Sequence, residues 1–394
     1  MPNASADVSL EPRELIATAQ ATTGLQNFGK DESWRIGFHK LLSAVESMHA
    51  PPVLRATARR SVLHSLETRL RLTEDERLSP AIVTQQIERP LIVIGLPRTG
   101  TTIAYDLMAL DPQARAPREW EWYMPWPATD AATFTTDPRI AIVQSMYQTW
   151  LDHAPELVKI QRFDCTQPGE CNHGMCHHFA STNFWAELGV PEFARWLMEE
   201  VPEGQYRTHK RLLQEFQWKG PRGHWILKSP QHLFDLDGLI AAYPDACLVW
   251  THRDPVSTLS SLSSMVSKFQ RATGGGQDLK VVGRSVMDMW SAAMARATRS
   301  RSTNPKVESA IIDLAHRDVV HDPIGAVHRI YDRFGISFGN EHIARIRQFL
   351  DQSSSAQRLG QHRHDPAQFG IEKPEVHARL ADYYARFGHL LSTA

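Results

Sequence analysis

Residues 95–102, Gly-Leu-Pro-Arg-Thr-Gly-Thr-Thr, have the spacing of a phosphate-binding loop. The segment follows a short apolar run and precedes a helical one, which is the context that such a loop needs. Backbone N–H groups and the N-terminus of the following helix would hold the anion. Thr101 stands where nucleoside triphosphatases carry a lysine for the outer phosphates, which argues against an ATPase or GTPase. A cation is nevertheless present inside the loop, at Arg98.

Two more cations follow predicted strands. Four short apolar runs bounded by turn residues predict strands at 90–95, 224–227, 247–251 and 309–313. Helical patterns follow each of them, so we expect an α/β fold with a parallel sheet covered by helices on both faces. Ligands of such sheets bind beyond the carboxyl ends of the strands. Arg98, Lys228 and Arg253 should therefore lie at one binding edge.

These motifs resemble a known family. Residues 96–102 are similar to the 5′-phosphosulfate loop of sulfotransferases, which use 3′-phosphoadenosine 5′-phosphosulfate (PAPS) as donor. Arg253 and Ser261, eight positions apart after a predicted strand, resemble the pair that holds the 3′-phosphate in that family. Similarity to the bacterial branch extends over roughly residues 12–390. It implies a P-loop-type parallel sheet flanked by helices, and PAPS as co-substrate. We expect no metal requirement, because a sulfuryl group carries less charge than a phosphoryl group and fixed cations can neutralise the leaving phosphate.

The resemblance also implies roles for individual residues of the donor site. Arg98 would contact the 5′-phosphate and the sulfuryl group, and Arg253 with Ser261 would hold the 3′-phosphate. The other expected donor ligands are Thr99, Gly100, Thr101, Thr102 and Arg363. Arg363 represents the C-terminal loop 358–364, in which the choice among several cations stays open.

The transfer needs a base for the acceptor hydroxyl, and two residues are candidates. By resemblance, Lys228 stabilises the leaving oxygen and His232 acts on the acceptor, since a free histidine titrates near neutral pH. The alternative for His232 is a structural role, in which its side chain caps the following helix. Glu121 lies between tryptophans, whose apolar surroundings would raise its pKa; its alternative is pairing with a nearby arginine. The sequence does not choose between the two bases.

Aromatic residues after the phosphate loop predict an apolar pocket for the acceptor. The alternative for more than half of them is packing in the hydrophobic core. The candidates are Trp120, Trp122, Tyr123, Trp126, Phe179, Phe184, Trp185 and Phe193. The segment 165–178 adds cysteines together with His173, His177 and His178, but it has no C-x-x-C and does not favour zinc. We expect a small-molecule or lipid acceptor with a hydroxyl: a lipid, polyketide, sterol or phenol.

Two regions are expected in the chain. Amphipathic runs before residue 90 predict an N-terminal helical segment, 1–89, packed on the main domain. Residues 90–394 would form the PAPS sulfotransferase-like α/β domain, with helical insertions that build the acceptor pocket. Whether the N-terminal helices cover that pocket is not readable from the pattern.

Composition narrows the function classes further. An apolar content of 42% in 394 residues excludes disorder as the main state. A net charge of −1 gives no global attraction to nucleic acid, and no apolar run approaches the ~20 residues of a membrane span. Four cysteines and a polar N-terminus lead us to expect a cytoplasmic protein. The sequence leaves a homo-oligomer open.

Two other classes compete with the sulfotransferase. A P-loop small-molecule kinase would share the loop, but Thr101 replaces its lysine and Arg253 with Ser261 supplies a 3′-phosphate site. A degenerate nucleotide-binding scaffold without turnover would have lost a cation. Arg98, Lys228 and Arg253 are all present, which favours the enzyme.

Overall fold

The computed structural model describes residues 8–159, 161–356 and 365–391. A parallel five-stranded sheet lies at its centre, with strand order β2-β3-β1-β4-β5. The strands are β1 (Leu91–Gly95), β2 (Ala114–Arg115), β3 (His224–Lys228), β4 (Cys247–His252) and β5 (Ile311–Ala315). The α/β prediction and four of these strands are confirmed. The two-residue edge strand β2 was not predicted, because it is too short to leave a pattern.

Helices surround the sheet. Three precede it: α1 (Pro12–Thr23), α2 (Trp34–Ser47) and α3 (Pro52–Leu78). Seven lie between β1 and β3 in the chain: α4 (Thr101–Ala109), α5 (Glu119–Tyr123), α6 (Pro138–His153), α7 (Cys171–Met175), α8 (Thr182–Leu188), α9 (Pro191–Glu199) and α10 (Gln205–Trp218). The later helices are α11 (Leu236–Ala242), α12 (Pro255–Ala272), α13 (Leu279–Thr303), α14 (Pro305–Ser309), α15 (His316–His321), α16 (Pro323–Arg333), α17 (Asn340–Ala356), α18 (Lys373–Arg379) and α19 (Ala381–Leu391). Four 3₁₀ turns span Pro155–Lys159, Cys176–His178, Pro230–Phe234 and Pro366–Phe369.

The central strand β1 is apolar throughout because both of its faces are buried. Ile92 and Ile94 belong to one core, with residues of α10, α12, α13 and α19. Leu91 and Val93 point to the opposite face and pack with residues of α4 and α16. Successive side chains of a strand alternate between faces, so a strand covered on both sides must be apolar at every position. This is the physical basis of the unbroken run that predicted the strand.

The N-terminal helices have a core of their own. Their apolar side chains pack with Phe179, Phe184, Phe193 and Trp196 from the region around α8 and α9. The helices α1–α3 are therefore tied to the insertion between β1 and β3. The division of the chain at residue 89 stays a prediction. Across the part of the chain that the structure describes, no helix combines the length and apolarity that a bilayer crossing requires.

Candidate active site

The phosphate loop is fixed to the neighbouring strand. The Thr99 hydroxyl donates to the Leu96 carbonyl oxygen at 2.7 Å, and its oxygen lies 2.7 Å from that of the Thr251 hydroxyl. Gly95 has no room for a side chain, because a Cβ would come within 2.7 Å of the Thr251 carbonyl oxygen. Arg98 has a φ of 73°, which a residue with a side chain adopts only where its surroundings enforce it. The predicted loop is thus a rigid turn at the N-terminus of α4.

Arg98, Arg253 and Ser261 meet beyond the ends of β1 and β4, as predicted. Arg98 Nε donates to Ser261 Oγ at 3.2 Å, and Arg253 Nη1 donates to the Arg98 carbonyl oxygen at 3.2 Å. Burial, and then the charge on Arg253, lowers the pKa of Arg98. Burial and the same arginine lower the pKa of His316, at the start of α15, to about 4. A concentration of positive charge of this kind is relieved by a bound anion.

The elements behind Arg253 hold its backbone in place. Asp254 caps α12 by accepting from the Val256 N–H at 3.3 Å, and the Tyr384 hydroxyl donates to the same carboxylate at 2.7 Å. The His252 ring is buried and lies 2.8 Å from Asp313 on β5. The residues on both sides of Arg253 are therefore held in place by other elements. A fixed backbone suits a residue whose side chain must bind a ligand in a defined geometry.

An ion pair between Lys228 and Glu170 lies next to the phosphate loop. The Lys228 side chain, only 3% exposed at the end of β3, forms this ion pair and lies 3.4 Å from the Thr102 hydroxyl at the start of α4. The Glu170 side chain keeps 30% of its surface exposed. A carboxylate, an ammonium group and the first turn of α4 thus converge. The position of Lys228 was predicted from the strand end, whereas Glu170 was missed.

A cavity of about 480 Å³ lies between α3, α5, α6, α7 and α8. Its wall is formed by Thr57, Arg60, Ser61, Leu63, His64, Ser65, Glu67, Trp122, Tyr123, Met146, Trp150, His173, Cys176, His177, Asn183, Phe184 and Glu187. A volume of this size matches a small-molecule site. The helix α3 supplies one wall, so one of the three N-terminal helices borders this cavity.

The predicted pocket residues divide between the cavity and the core. Trp122, Tyr123 and Phe184 line the cavity, and so do the predicted His173 and His177. His178 is turned away and bonds to Thr208 and to the Glu203 carbonyl oxygen. The other predicted aromatics do not line the cavity. Trp126 is partly exposed, and the buried packing residues are Trp120, Phe179, Trp185 and Phe193. His64, which also lines the cavity, was not predicted.

Glu119 lies beside the cavity wall and responds to the charges of the Glu170–Lys228 ion pair. Its Oε2 lies 3.3 Å from His173 Nε2, and His173 lines the cavity wall. Burial, and then the charge on Glu170, raises the pKa of Glu119 to about 8, although Lys228 opposes the shift. Burial lowers the pKa of His173 to about 4. Glu119 therefore lies beside a residue of the cavity wall and responds to the charges of Glu170 and Lys228 next to the phosphate loop.

The expectation for Glu121 as the base needs correction. Glu121 is fully buried, pairs with Arg115, and accepts hydrogen bonds from Thr129 Oγ1 at 2.9 Å and from the Arg118 N–H at 2.8 Å. It caps α5 and does not face the cavity. The reason is helical phase, because residues two apart in a helix point about 200° apart. The arginine-paired alternative describes Glu121, and Glu119 is the carboxyl that faces the site.

The expectation for His232 also needs correction. His232 is fully buried in the 3₁₀ turn after β3, and its Nδ1 lies 3.0 Å from the Tyr206 hydroxyl. Burial lowers its pKa well below the usual range. It is not the helix cap either, since Ser229 Oγ accepts from the Gln231 N–H at 3.1 Å. His232 faces the protein interior and not the cavity.

The remaining predicted donor ligands are the threonines of α4 and the C-terminal loop. Thr101 is buried and Thr102 exposed at the first turn of the helix, next to Gly100 with a φ of 93°. Arg363 and its loop 358–364 lie outside the described residues.

Comparison with known proteins identifies the family and the fold of the chain. The family described as "Sulfotransferase family" matches residues 90–340. An omega-hydroxy-beta-dihydromenaquinone-9 sulfotransferase, Stf3 of Mycobacterium bovis and Mycobacterium tuberculosis, is 24% identical over 272 residues. That alignment covers 66% of this chain and 66% of the relative, just under two thirds of each.

Two solved structures share the architecture over nearly the whole chain. Sulfotransferase STF1 from Mycobacterium tuberculosis has a TM-score of 0.81 at 27% identity, covering 95% of this chain and 99% of its own. Sulfotransferase STF9 from Mycobacterium avium has a TM-score of 0.84 at 26% identity, covering 97% and 98%. At these coverages both alignments must include most of the residues before 90, so the shared architecture extends into the N-terminal helices.

Proposed function

This chain belongs to the sulfotransferase family, and from that premise we propose that it transfers a sulfuryl group from PAPS to a hydroxyl of a hydrophobic acceptor. The protein is a transferase. The observation that carries the choice of donor is the meeting of Arg98, Arg253 and Ser261 beyond two adjacent strands. A donor with two separated anionic groups needs two such cation-bearing turns.

The donor site fits PAPS by charge and by position. The loop 96–100 and the first turn of α4 would take the 5′-phosphosulfate, with Arg98 inside the loop. Arg253 and Ser261 would take the 3′-phosphate, which ATP lacks. Arginine suits this task because its planar guanidinium makes paired, charge-assisted hydrogen bonds to phosphate oxygens. Thr101 stands where a P-loop kinase has its lysine, which supports PAPS rather than ATP as the donor.

Glu170 is the base that the geometry favours. Its carboxylate is partly exposed and is held by Lys228 next to the phosphate loop, whereas Glu121 and His232 are enclosed. The acceptor oxygen forms a bond to sulfur while the bond from sulfur to the phosphate oxygen breaks, and the hydroxyl proton passes to Glu170. Lys228 and Arg98 would offset the charge that develops on the leaving phosphate.

The acceptor is proposed to occupy the cavity beside α3. Most of the surface of its wall is apolar, from side chains such as Leu63, Trp122 and Phe184, and ten of the seventeen lining residues are polar or charged. Such a lining selects an apolar molecule and leaves the polar groups to orient it. The menaquinone-derived lipid in the name of the Stf3 relative supports a lipid with a hydroxyl group. A cytoplasmic location remains part of this proposal.

Calorimetric titration tests the donor first. We expect micromolar binding of 3′-phosphoadenosine 5′-phosphate in EDTA and much weaker binding of ATP with Mg²⁺. Tight ATP binding without a response to the bisphosphate would replace the sulfotransferase by the kinase. With the donor established, ³⁵S-labelled PAPS and a panel of hydroxylated lipids, sterols and phenols would identify the acceptor class, with the same panel lacking the hydroxyl as control.

A further inference from the structure

A cysteine and two histidines meet in the protein interior behind the active site. Cys171, His209 and His232 each offer one ligand atom, and the three atoms lie within 4.8 Å of one another. All three residues are fully buried. They come from three separate elements: the start of α7, the middle of α10 and the 3₁₀ turn after β3. None of them lines the acceptor cavity.

Both imidazoles have one nitrogen committed and one without a partner. Tyr206 and Tyr243 hydroxyls lie 3.0 Å and 2.7 Å from Nδ1 of His232 and His209, respectively. The Nε2 atoms of both rings are buried and have no hydrogen-bond partner among the described residues. Two orphaned nitrogens in one place are costly, and a bound ion or water is the usual reason for such a group.

The hydrogen bonds of Tyr206 select the metal-binding tautomer of His232. The Tyr206 hydroxyl donates its single proton to the Asp235 carbonyl oxygen at 3.2 Å, so it accepts from His232 Nδ1–H. That arrangement leaves a lone pair on Nε2. A ring N–H given to an outer partner is how proteins orient metal-binding histidines.

Neighbouring rings hold both imidazoles in place. Trp122 stacks on His209 with ring centroids 5.6 Å apart, and Tyr206 stacks on His232 at 5.7 Å. The two imidazoles meet edge to face at 5.7 Å. The ligand directions are thus fixed by packing before any ion enters, which lowers the entropic cost of binding.

We propose that Cys171, His209 and His232 form a buried site for a d¹⁰ metal ion, Zn²⁺ or Cu⁺. Thiolate and imidazole are the ligands that these two ions share. A thiolate and two neutral imidazoles balance the charge of Cu⁺, whereas Zn²⁺ would add a water or hydroxide as fourth ligand. The Cys171 thiol loses its proton on binding, and the proton passes to solvent. The ion has a structural role and takes no part in sulfuryl transfer, for which no metal is expected.

The site would tie together the two segments that carry the proposed catalytic pair. Glu170 directly precedes Cys171, and Lys228 lies four residues before His232. An ion bound to Cys171 and His232 would hold those two segments at a fixed separation behind the Glu170–Lys228 ion pair. Metal binding energy would then appear as folding free energy.

Metal analysis of the wild-type protein is the direct test. Chains expressed in zinc-supplemented or copper-supplemented medium and purified without chelators are measured by inductively coupled plasma mass spectrometry. We expect one ion per chain, a loss of the ion in Cys171→Ser and His209→Asn, and full retention in Cys165→Ser, which changes a buried cysteine outside the cluster. The medium that gives full occupancy distinguishes Zn²⁺ from Cu⁺.

Cobalt substitution keeps the test independent of whether the variants fold. Co²⁺ bound to wild type and to Cys165→Ser should give a thiolate charge-transfer band in the near ultraviolet. Addition of Zn²⁺ or Cu⁺ should raise the Tm of the metal-free protein. Wild type without bound metal, without that band and with an unchanged Tm would overturn the proposal. The cluster would then be a set of hydrogen-bonding and packing residues only.

Discussion

Arg253 Nη1 donates a hydrogen bond to the Arg98 carbonyl oxygen, 3.2 Å away. The contact joins the turn after β4 to the turn after β1, and Arg98 in turn donates to Ser261 on α12. The two halves of the proposed donor site are therefore in physical contact. A substitution of either arginine should alter the position of the other. Donor binding and turnover must therefore be measured together for each variant.

Arg98→Ala should reduce turnover about 10²–10³-fold, because it removes a fixed cation from the place where negative charge develops. Arg98→Lys should recover part of the loss, since it restores the charge without the planar fork. Turnover is measured as ³⁵S transfer at saturating PAPS. Arg13→Ala, an exposed arginine on α1, is the matched control. Near wild-type turnover in Arg98→Ala would remove this residue from the catalytic machinery.

Arg253→Ala should mainly weaken donor binding, by about 1.5–3 kcal/mol for a charged hydrogen bond. Ser261→Ala should weaken it less, and both variants should lose part of the preference for the bisphosphate over ATP. Calorimetry with 3′-phosphoadenosine 5′-phosphate measures the effect. Ser257→Ala serves as control, since this serine lies on the same helix and bonds to the Asp254 carbonyl oxygen. Unchanged affinity in Arg253→Ala would exclude it from the 3′-phosphate site.

Glu170→Gln should lower kcat about 10²–10⁴-fold while the bisphosphate affinity stays close to wild type, because the amide cannot accept the acceptor proton. Glu121→Gln should behave in the opposite way. It breaks a buried ion pair with Arg115 and should cost about 3 kcal/mol of stability, with kcat largely kept in the folded fraction. Paired kcat and Tm measurements separate the two roles. A large kcat loss in Glu121→Gln at unchanged Tm would restore Glu121 as the base.

These two carboxylates mark the boundary of what the sequence predicts. The loop at 95–102, the strand ends and the three cations followed from local patterns, since a buried parallel strand and its following turn leave a signature within a few residues. The expectation for Glu121 fails because the sequence does not show the phase of the five-residue helix α5, which turns Glu121 toward Arg115 and away from the cavity. Glu170 was missed because its partner Lys228 lies 58 residues away, and only tertiary packing brings them together.

Glu119 should make stability fall with rising pH between about 6.5 and 8. Its pKa rises from 4.5 to about 8 on folding, so the folded state keeps a proton that the unfolded state releases. The free energy of unfolding therefore decreases as pH rises through this window. Buried histidines such as His178, with its pKa lowered to about 3, act in the opposite direction and do so most strongly below pH 6.5, which is why the window starts there. The groups that face Glu119 are His173, Glu170, Lys228, Arg162 and Tyr147.

Urea unfolding at pH 6.5 and 8 measures this fall. Glu119→Gln should make it smaller, with the remainder supplied by Glu187 and Glu215, whose pKa values burial raises to about 7 and about 8. Glu11→Gln, at an exposed position, should leave it as in wild type. An equal fall in Glu119→Gln and wild type would contradict the assignment.

Ser61→Phe should raise the KM for the acceptor and leave bisphosphate affinity unchanged, because a phenyl ring would occupy part of the cavity wall on α3. The expected rise is about 10-fold or more, corresponding to the loss of a few buried methylene contacts. Thr22→Phe, exposed on α1, controls for the added apolar surface. An unchanged KM with the identified acceptor would show that the molecule binds elsewhere.

The wall that α3 contributes to the cavity lies outside the segments proposed to hold the donor, whereas the rest of the cavity wall comes after residue 90. Thr57, Ser61 and His64 on this helix border the cavity, whereas the loop and cations proposed to hold the donor all come after residue 90. Exchanging α3 between relatives should therefore change part of the acceptor wall and leave every residue proposed to hold the donor in place. Such chimaeras would turn a single scaffold into a series of catalysts that share a donor and differ in what they modify.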